Sequence, residues 1–180
     1  MSYPPARARL SDEIDVTGAL DAHFGIADYN DTSTASTPLS LAADTWTTLP
    51  NDGLGSFTRE HLPTGVTSLL IASSGAIDIS GLSAQSTIKI RFDFGVTPNS
   101  NNSILNFRLL LGDGVSTYAL PTSFGRLDEG AGIQYDRGLF VGGVYAGDLN
   151  TIENPIFLQA KCSAQAQLLN RGMYIEVYKR

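Results

Sequence analysis

Little in this chain equips it for chemistry. It has one cysteine in 180 residues, Cys162, so no intrachain disulfide can form. Its stability must come from packing, and a chain of this length buries roughly 70% of its unfolded surface without staples. A bridge-free β-protein also points to assembly in a reducing cytoplasm. There are two histidines, His23 and His61, in none of the H-x-H, H-x-x-H or H-E-x-x-H spacings that a catalytic metal needs. No G-x-S-x-G, P-loop or dinucleotide fingerprint occurs. No apolar run approaches the length of a membrane-spanning helix. The opening Met1-Ser2-Tyr3-Pro4-Pro5-Ala6-Arg7 has no apolar stretch, so a signal peptide is not expected there. Charged residues make up only 17%, against about 25% in an average domain. The net charge of −6 argues against nucleic acid as a partner, since phosphate recognition needs a basic footprint.

What is present is alternation. From Thr87 to Thr97, apolar Ile88, Ile90, Phe92, Phe94 and Val96 interleave with Thr87, Lys89, Arg91 and Asp93. Successive strand side chains point to opposite faces, so one face is apolar and the other wet. That is the mark of an antiparallel strand lying on a core. The pattern returns in Ile104–Leu111 and in Met173–Tyr178, and a strand is also expected over Pro155–Gln165. Further strands are expected over Leu20–Tyr29, Leu39–Leu49, Phe57–His61, Thr67–Ala72, Ala76–Ile79, Thr117–Leu120, Ala131–Tyr135 and Gly138–Tyr145. In the first, Phe24 falls on the apolar side with Leu20 and Ala22. The run Ser163–Asn170 fits helix or strand by periodicity; strand and turn is preferred, because eight residues make a poor helix. Eight to eleven short strands at about ten-residue spacing read as an all-β antiparallel sandwich.

Residues 1–18 differ in kind. Pro4 and Pro5 cannot join a ladder, Arg7 and Arg9 lie close together, and Asp12, Glu13 and Asp15 form the densest acidic group. This reads as an extended N-terminal arm, either disordered or ordered only against a neighbour, followed by one domain over 19–180.

Side chains with chemical potential have plain structural readings. His23 reads as a satisfied strand histidine and His61 as a turn residue. Cys162 shares parity with Leu158 and Ala160 and reads as a small core hydrophobe. Gly142-Gly143 reads as a bulge or tight turn rather than a phosphate loop. Asp28, Asn30 and Asp31 are the one conceivable cation cluster, with a solvated turn as the simpler reading. Tyr174 and Tyr178 share the non-core face of the last strand, where tyrosines with paired hydroxyls suit a subunit interface.

The order of pieces then resembles a family. Thr45-Trp46-Thr47-Thr48-Leu49-Pro50-Asn51-Asp52-Gly53 is followed by Leu62-Pro63-Thr64-Gly65 and by Gly75-Ala76-Ile77-Asp78-Ile79. Ile88-Lys89-Ile90-Arg91-Phe92-Asp93 comes next, and Ile156–Lys161 and Met173–Tyr178 close the chain. Over residues 39–180 this resembles the TNF/C1q-like jelly-roll domains of tailed-bacteriophage structural proteins, of the head decoration (cement) type. The resemblance implies a non-enzymatic homotrimer without cofactor on the virion surface, assembled in the host cytoplasm. It implies that the trimer clamps the major capsid protein and stabilises the phage head. Tyr174 and Tyr178 would then face the threefold axis. The arm, with Tyr3, Pro4, Pro5, Arg7 and Arg9, would bind the capsid. The alternative is a receptor- or glycan-binding head of a tail fibre or head fibre, with surface glycans as partners. The loops Asp31–Pro38 and Pro98–Ser103 contain no aromatic residue for sugar stacking, which favours the cement role. Neither nucleic acid nor membrane is expected as a partner.

Overall fold

The computed structural model describes residues 22–180. Twelve strands run antiparallel with their neighbours. They are β1 (Phe24–Tyr29), β2 (Leu39–Leu41), β3 (Thr47–Thr48), β4 (Arg59–His61), β5 (Leu70–Ile71), β6 (Ala76–Ile77), β7 (Thr87–Pro98), β8 (Ser103–Gly112), β9 (Thr117–Leu127), β10 (Tyr135–Tyr145), β11 (Phe157–Cys162) and β12 (Ala166–Tyr178). Two single-turn helices, α1 (Ser33–Ser36) and α2 (Leu149–Ile152), sit in connections.

The strands form two main sheets. The larger has the order β10-β7-β12-β1-β4, with β2 pairing further along β12; the smaller is β3-β11-β8-β9. The pairing has a simple logic once short β2, β4, β5 and β6 are set aside. The first strand pairs with the last (β1 with β12), the second with the seventh (β3 with β11), the third with the sixth (β7 with β10), and the fourth with the fifth (β8 with β9). A long hairpin has been rolled up on itself, and the pairings β7–β12 and β8–β11 close it into two sheets. That connectivity is a jelly roll.

Alternation sets which face meets the core. Along β7, Ile88, Ile90, Phe92, Phe94 and Val96 are buried, while Lys89 and Arg91 are exposed. Leu105, Phe107, Leu109 and Leu111 of β8 meet them from the opposite sheet. At the centre, Phe92, Phe94 and Phe107 pack with ring centroids 4.9–5.5 Å apart, within the range preferred by aromatic pairs. Cys162 is fully buried among them.

Two devices let one edge of β12 accept both β1 and β2. The first is a bulge between Asn170 and Gly172. A Cβ at Gly172 would lie 2.6 Å from Asn30 Nδ2 and 3.3 Å from the Tyr29 carbonyl oxygen, so only glycine lets the two chains approach. The second is Asp31, whose carboxylate accepts from Ser33 N and Oγ, Thr34 N and Oγ1, and Asp52 N. It ties α1 and the Pro50–Gly53 turn to the end of β1.

Several expectations need correction. Phe24 lies on the outer face, not the apolar side, because the buried positions of β1 are Gly25, Ala27 and Tyr29. Residues 131–135 form a turn around Gly130 and Gly132, both at positive φ, and the strand begins only at Tyr135. The expected strand 117–120 continues to Leu127 through Pro121. A ring there is tolerated because β9 is the edge of its sheet. The expected strand 67–72 shrinks to Leu70–Ile71. The ambiguous 163–170 segment is a turn followed by the start of β12.

Candidate functional site

Three neighbouring strands of the larger sheet and their flanks turn an unusual set of side chains to solvent. The register gives them as rows. Tyr145, Thr87, Tyr178 and Phe24 lie across β10, β7, β12 and β1 in one row. Lys89, Glu176, Ile26 and His61 follow in the next. Phe140, Arg91, Tyr174, Asp28 and Arg59 form the third. Five aromatic residues therefore share one outer face. Phe140 is 56% exposed, Tyr145 58%, Tyr178 42% and Phe24 39%, with Tyr174 half-buried.

The bulge in β10 makes this possible. Phe140 and Tyr145 are five positions apart and would normally point to opposite faces. The register shift between Phe140 and Gly142 brings both outward. The expected irregularity at Gly142 is thus a bulge, and it aims two aromatic rings.

Charged groups are laced between the rings and largely paired among themselves. The Lys89 ammonium lies 5.3 Å from the Tyr178 ring centroid and 3.8 Å from Glu176 Oε2. The Arg91 guanidinium lies 5.9 Å from the Tyr174 ring centroid and donates to Asp93 Oδ2 at 2.6 Å. Arg171 pairs with Asp136 at 3.3 Å. Burial, and then the Glu176 carboxylate, push the Tyr174 hydroxyl above its ordinary value. Burial, and then the charge on Asp93, raise Asp28 against the pull of Arg91 and Arg59. The Asp93 hydrogen bond raises Arg91 further and keeps it charged.

Shallow hollows lie between the rows. One of about 300 Å³ is lined by Lys89, Arg91, Phe140, Tyr174 and Glu176. A second, lined by Ile26, Asp28, Phe57, Arg59, His61 and Tyr174, continues toward β4. Rigid rings around open hollows offer area and shape to a protein surface.

Among solved structures, the chain is similar to the PRD1 vertex protein P5, at 15% identity over 88% of this chain and 96% of that one, with a TM-score of 0.41. It is also similar to infectious bursal disease virus, Gt strain, at 13% identity over the whole of this chain and 42% of that one, with a TM-score of 0.37. A third is the infectious bursal disease virus VP2 subviral particle, at 11% identity over 87% of this chain and 56% of that one, with a TM-score of 0.33. The chain thus spans about half the length of the bursal disease virus chains. No protein-family model and no curated protein matches the chain.

The residues singled out in the sequence are distributed as follows. Tyr174 and Tyr178 both lie on this face, four positions apart on β12. Alternation alone did not reveal Phe24, Phe140 and Tyr145 as their neighbours. Tyr3, Pro4, Pro5, Arg7 and Arg9 lie outside the described residues. His23 precedes β1 and pairs through Nδ1 with the Lys179 carbonyl oxygen at 3.1 Å. His61 is an exposed residue of β4, not of a turn. Asp31 is neither a cation ligand nor part of a solvated turn: it is buried, with five protein donors on its carboxylate. Among the described residues no three His, Cys, Asp or Glu side chains converge as a metal site would need.

Proposed function

We propose that this chain is a non-enzymatic virion structural protein that works as a homotrimer and clamps the major capsid protein of a bacteriophage head. The supporting observation is the row of outward aromatic residues on the larger sheet, Tyr145, Phe140, Tyr174, Tyr178 and Phe24. Rings held on a rigid sheet lose little conformational freedom on contact and remove much apolar area from water. Three pairs of their interleaved charges, Lys89 with Glu176, Arg91 with Asp93 and Arg171 with Asp136, are already made within the chain, which lowers the cost of taking them out of water. Further copies of this chain are the natural occupants, three of them meeting about a common axis, and Tyr174 and Tyr178 sit at the centre of the surface. The TNF/C1q-like resemblance of residues 39–180 adds the threefold arrangement.

In this reading residues 1–18 are the capsid-binding arm, with Tyr3, Pro4, Pro5, Arg7 and Arg9 as its contacts. Three arms on one assembly act together, so weak individual contacts become a near-permanent attachment. Deleting residues 1–18 tests it. The truncated chain is expected to remain an assembled trimer and to lose its hold on capsids in a co-sedimentation assay. Unchanged co-sedimentation would overturn the role of the arm.

A further inference from the structure

The outer face of the smaller sheet carries charge of one sign, where that of the larger sheet carries both. Its charged residues are Arg108 of β8, Lys161 of β11 and Arg126 of β9, and no Asp or Glu points outward from β3, β8, β9 or β11. In a chain of net charge −6 that is a conspicuous separation. Beside the cations, just before the edge strand β3, lies Trp46, the chain's one tryptophan. The Arg108 guanidinium sits 4.4 Å and the Lys161 ammonium 5.1 Å from its ring centroid. Arg108 Nε donates to Gln159 Oε1 at 2.7 Å, and Gln159 Nε2 donates to Thr48 Oγ1 at 3.0 Å. The guanidinium is thus held from one side and stacked from the other. Among the described residues neither cation has a carboxylate partner.

We propose that this Trp46 tray receives the acidic run Asp12-Glu13-Ile14-Asp15 of a neighbouring copy. An oriented guanidinium presents a fork that matches a carboxylate, and the adjacent ammonium adds a second positive charge. Cations on the indole ring leave little open face for a sugar to stack on, so the tray suits carboxylates better than a neutral glycan. Asp12, Glu13 and Asp15 are the densest acidic group of the chain and lie outside the described residues.

Reach decides whose run it is. His23, next to the first described residue, bonds Lys179 at the Tyr178 end of β12. The tray lies at the other end, since Lys161 is close to the turn into Ala166 and Leu41 pairs with Ala166 just before Trp46. The 13 residues of β12 separate the two ends by about 40 Å at roughly 3.3 Å per residue. Asp15 is seven residues from Ala22 and extends at most about 25 Å from it; Asp12, the far end of the run, is ten residues away and extends at most about 36 Å, before the roughly 10 Å between the two sheets is crossed. The run falls short of its own tray and belongs on that of a neighbour. The proposal rests on self-assembly as read above and deepens it. The base of each arm straps one copy to the next, and Tyr3–Arg9 are left for the capsid.

The test is a cross-link between copies. Glu13→Cys and Asn106→Cys are placed in separate full-length chains, each also carrying Cys162→Ala, and the two are co-expressed; Asn106 pairs with Lys161 beside the tray. Oxidation is expected to give a covalent pair of chains, and Arg108→Gln with Lys161→Gln in the Asn106→Cys chain is expected to abolish it. Trp46 emission, the sole indole signal, is expected to shift in the Asp12→Asn/Glu13→Gln/Asp15→Asn variant, and 0.5 M NaCl is expected to produce the same shift in the wild type. The proposal is overturned by absence of the cross-link, or by a cross-link formed only within one chain carrying both cysteines. Emission indifferent to the acidic run also overturns it, including when added oligoglutamate shifts it. Native mass read on the same samples separates the two ideas: an intact assembly without cross-link sinks only the strap, and a monomer sinks self-assembly itself.

Discussion

Phe24 and Tyr178 face each other across the pairing of β1 with β12, their ring centroids 5.3 Å apart and their planes inclined at 58°. Both rings remain partly open to solvent, and Lys89 reaches the Tyr178 ring from the next strand. First and last strands of the jelly roll thus jointly build one edge of the aromatic face. A change on this face is expected to touch assembly before it touches folding.

Phe140→Glu combined with Tyr178→Glu should therefore dissociate the assembly. Both side chains are largely outside the core, so the folded chain is expected to lose less than about 1 kcal/mol. Light scattering coupled to size exclusion checks the first statement and urea unfolding of the monomer the second. A variant that keeps the wild-type mass would move the interface elsewhere.

The core behaves differently. Phe107 is fully buried and packs against both Phe92 and Phe94 from the opposite sheet. Phe107→Ala is expected to cost about 3–5 kcal/mol, from lost transfer energy and the cavity left behind. Denaturant midpoints at constant slope measure it.

Asp31 is a second structural anchor. Asp31→Ala leaves the amides of Ser33, Thr34 and Asp52 without their acceptor and is expected to cost at least about 2 kcal/mol. Asp31→Asn keeps one acceptor oxygen and should retain part of that. Equal loss in both would mean that charge, not the number of acceptors, holds the loop.

Asp28 gives a pH signature. Its folded-state pKa is raised above 3.8, first by burial and then by Asp93. Between 3.8 and the raised value the folded chain holds a proton that the unfolded chain has released. Stability from this group therefore falls as pH rises through that window, and the deficit persists at neutral pH. Asp28→Asn is expected to raise Tm at pH 7 and to leave it unchanged near pH 3, where both states are protonated. A gain of equal size at both pH values would contradict the electrostatic origin.

The legible part of this fold is the part that obeys period two. Ile88 through Val96 and Leu105 through Leu111 announce their buried face because each strand is wet on one side only. The sequence hides whatever breaks the period. Phe140 and Tyr145 share a face through a bulge, and a bulge depends on the partner strand as much as on Gly142. Pro121 looks like a strand breaker until β9 is known to be an edge. Phe24 follows Ala22 in parity, but its neighbours in β1 bury Gly25 instead. Tyr174 and Tyr178 were visible because the last strand is regular beyond Gly172; their aromatic neighbours, contributed by β1 and β10, needed the register. The tray had no local signal at all, since Trp46, just before β3, Arg108 of β8 and Lys161 of β11 lie far apart in the chain.

The central claim is that the aromatic face of the larger sheet is covered by copies of this chain. Native mass spectrometry of the full-length protein at micromolar concentration tests it most directly. The expected result is a single species of three 19.2 kDa chains that falls to one chain in the Phe140→Glu/Tyr178→Glu variant. A wild-type protein that stays at the mass of one chain across the concentration range would contradict it.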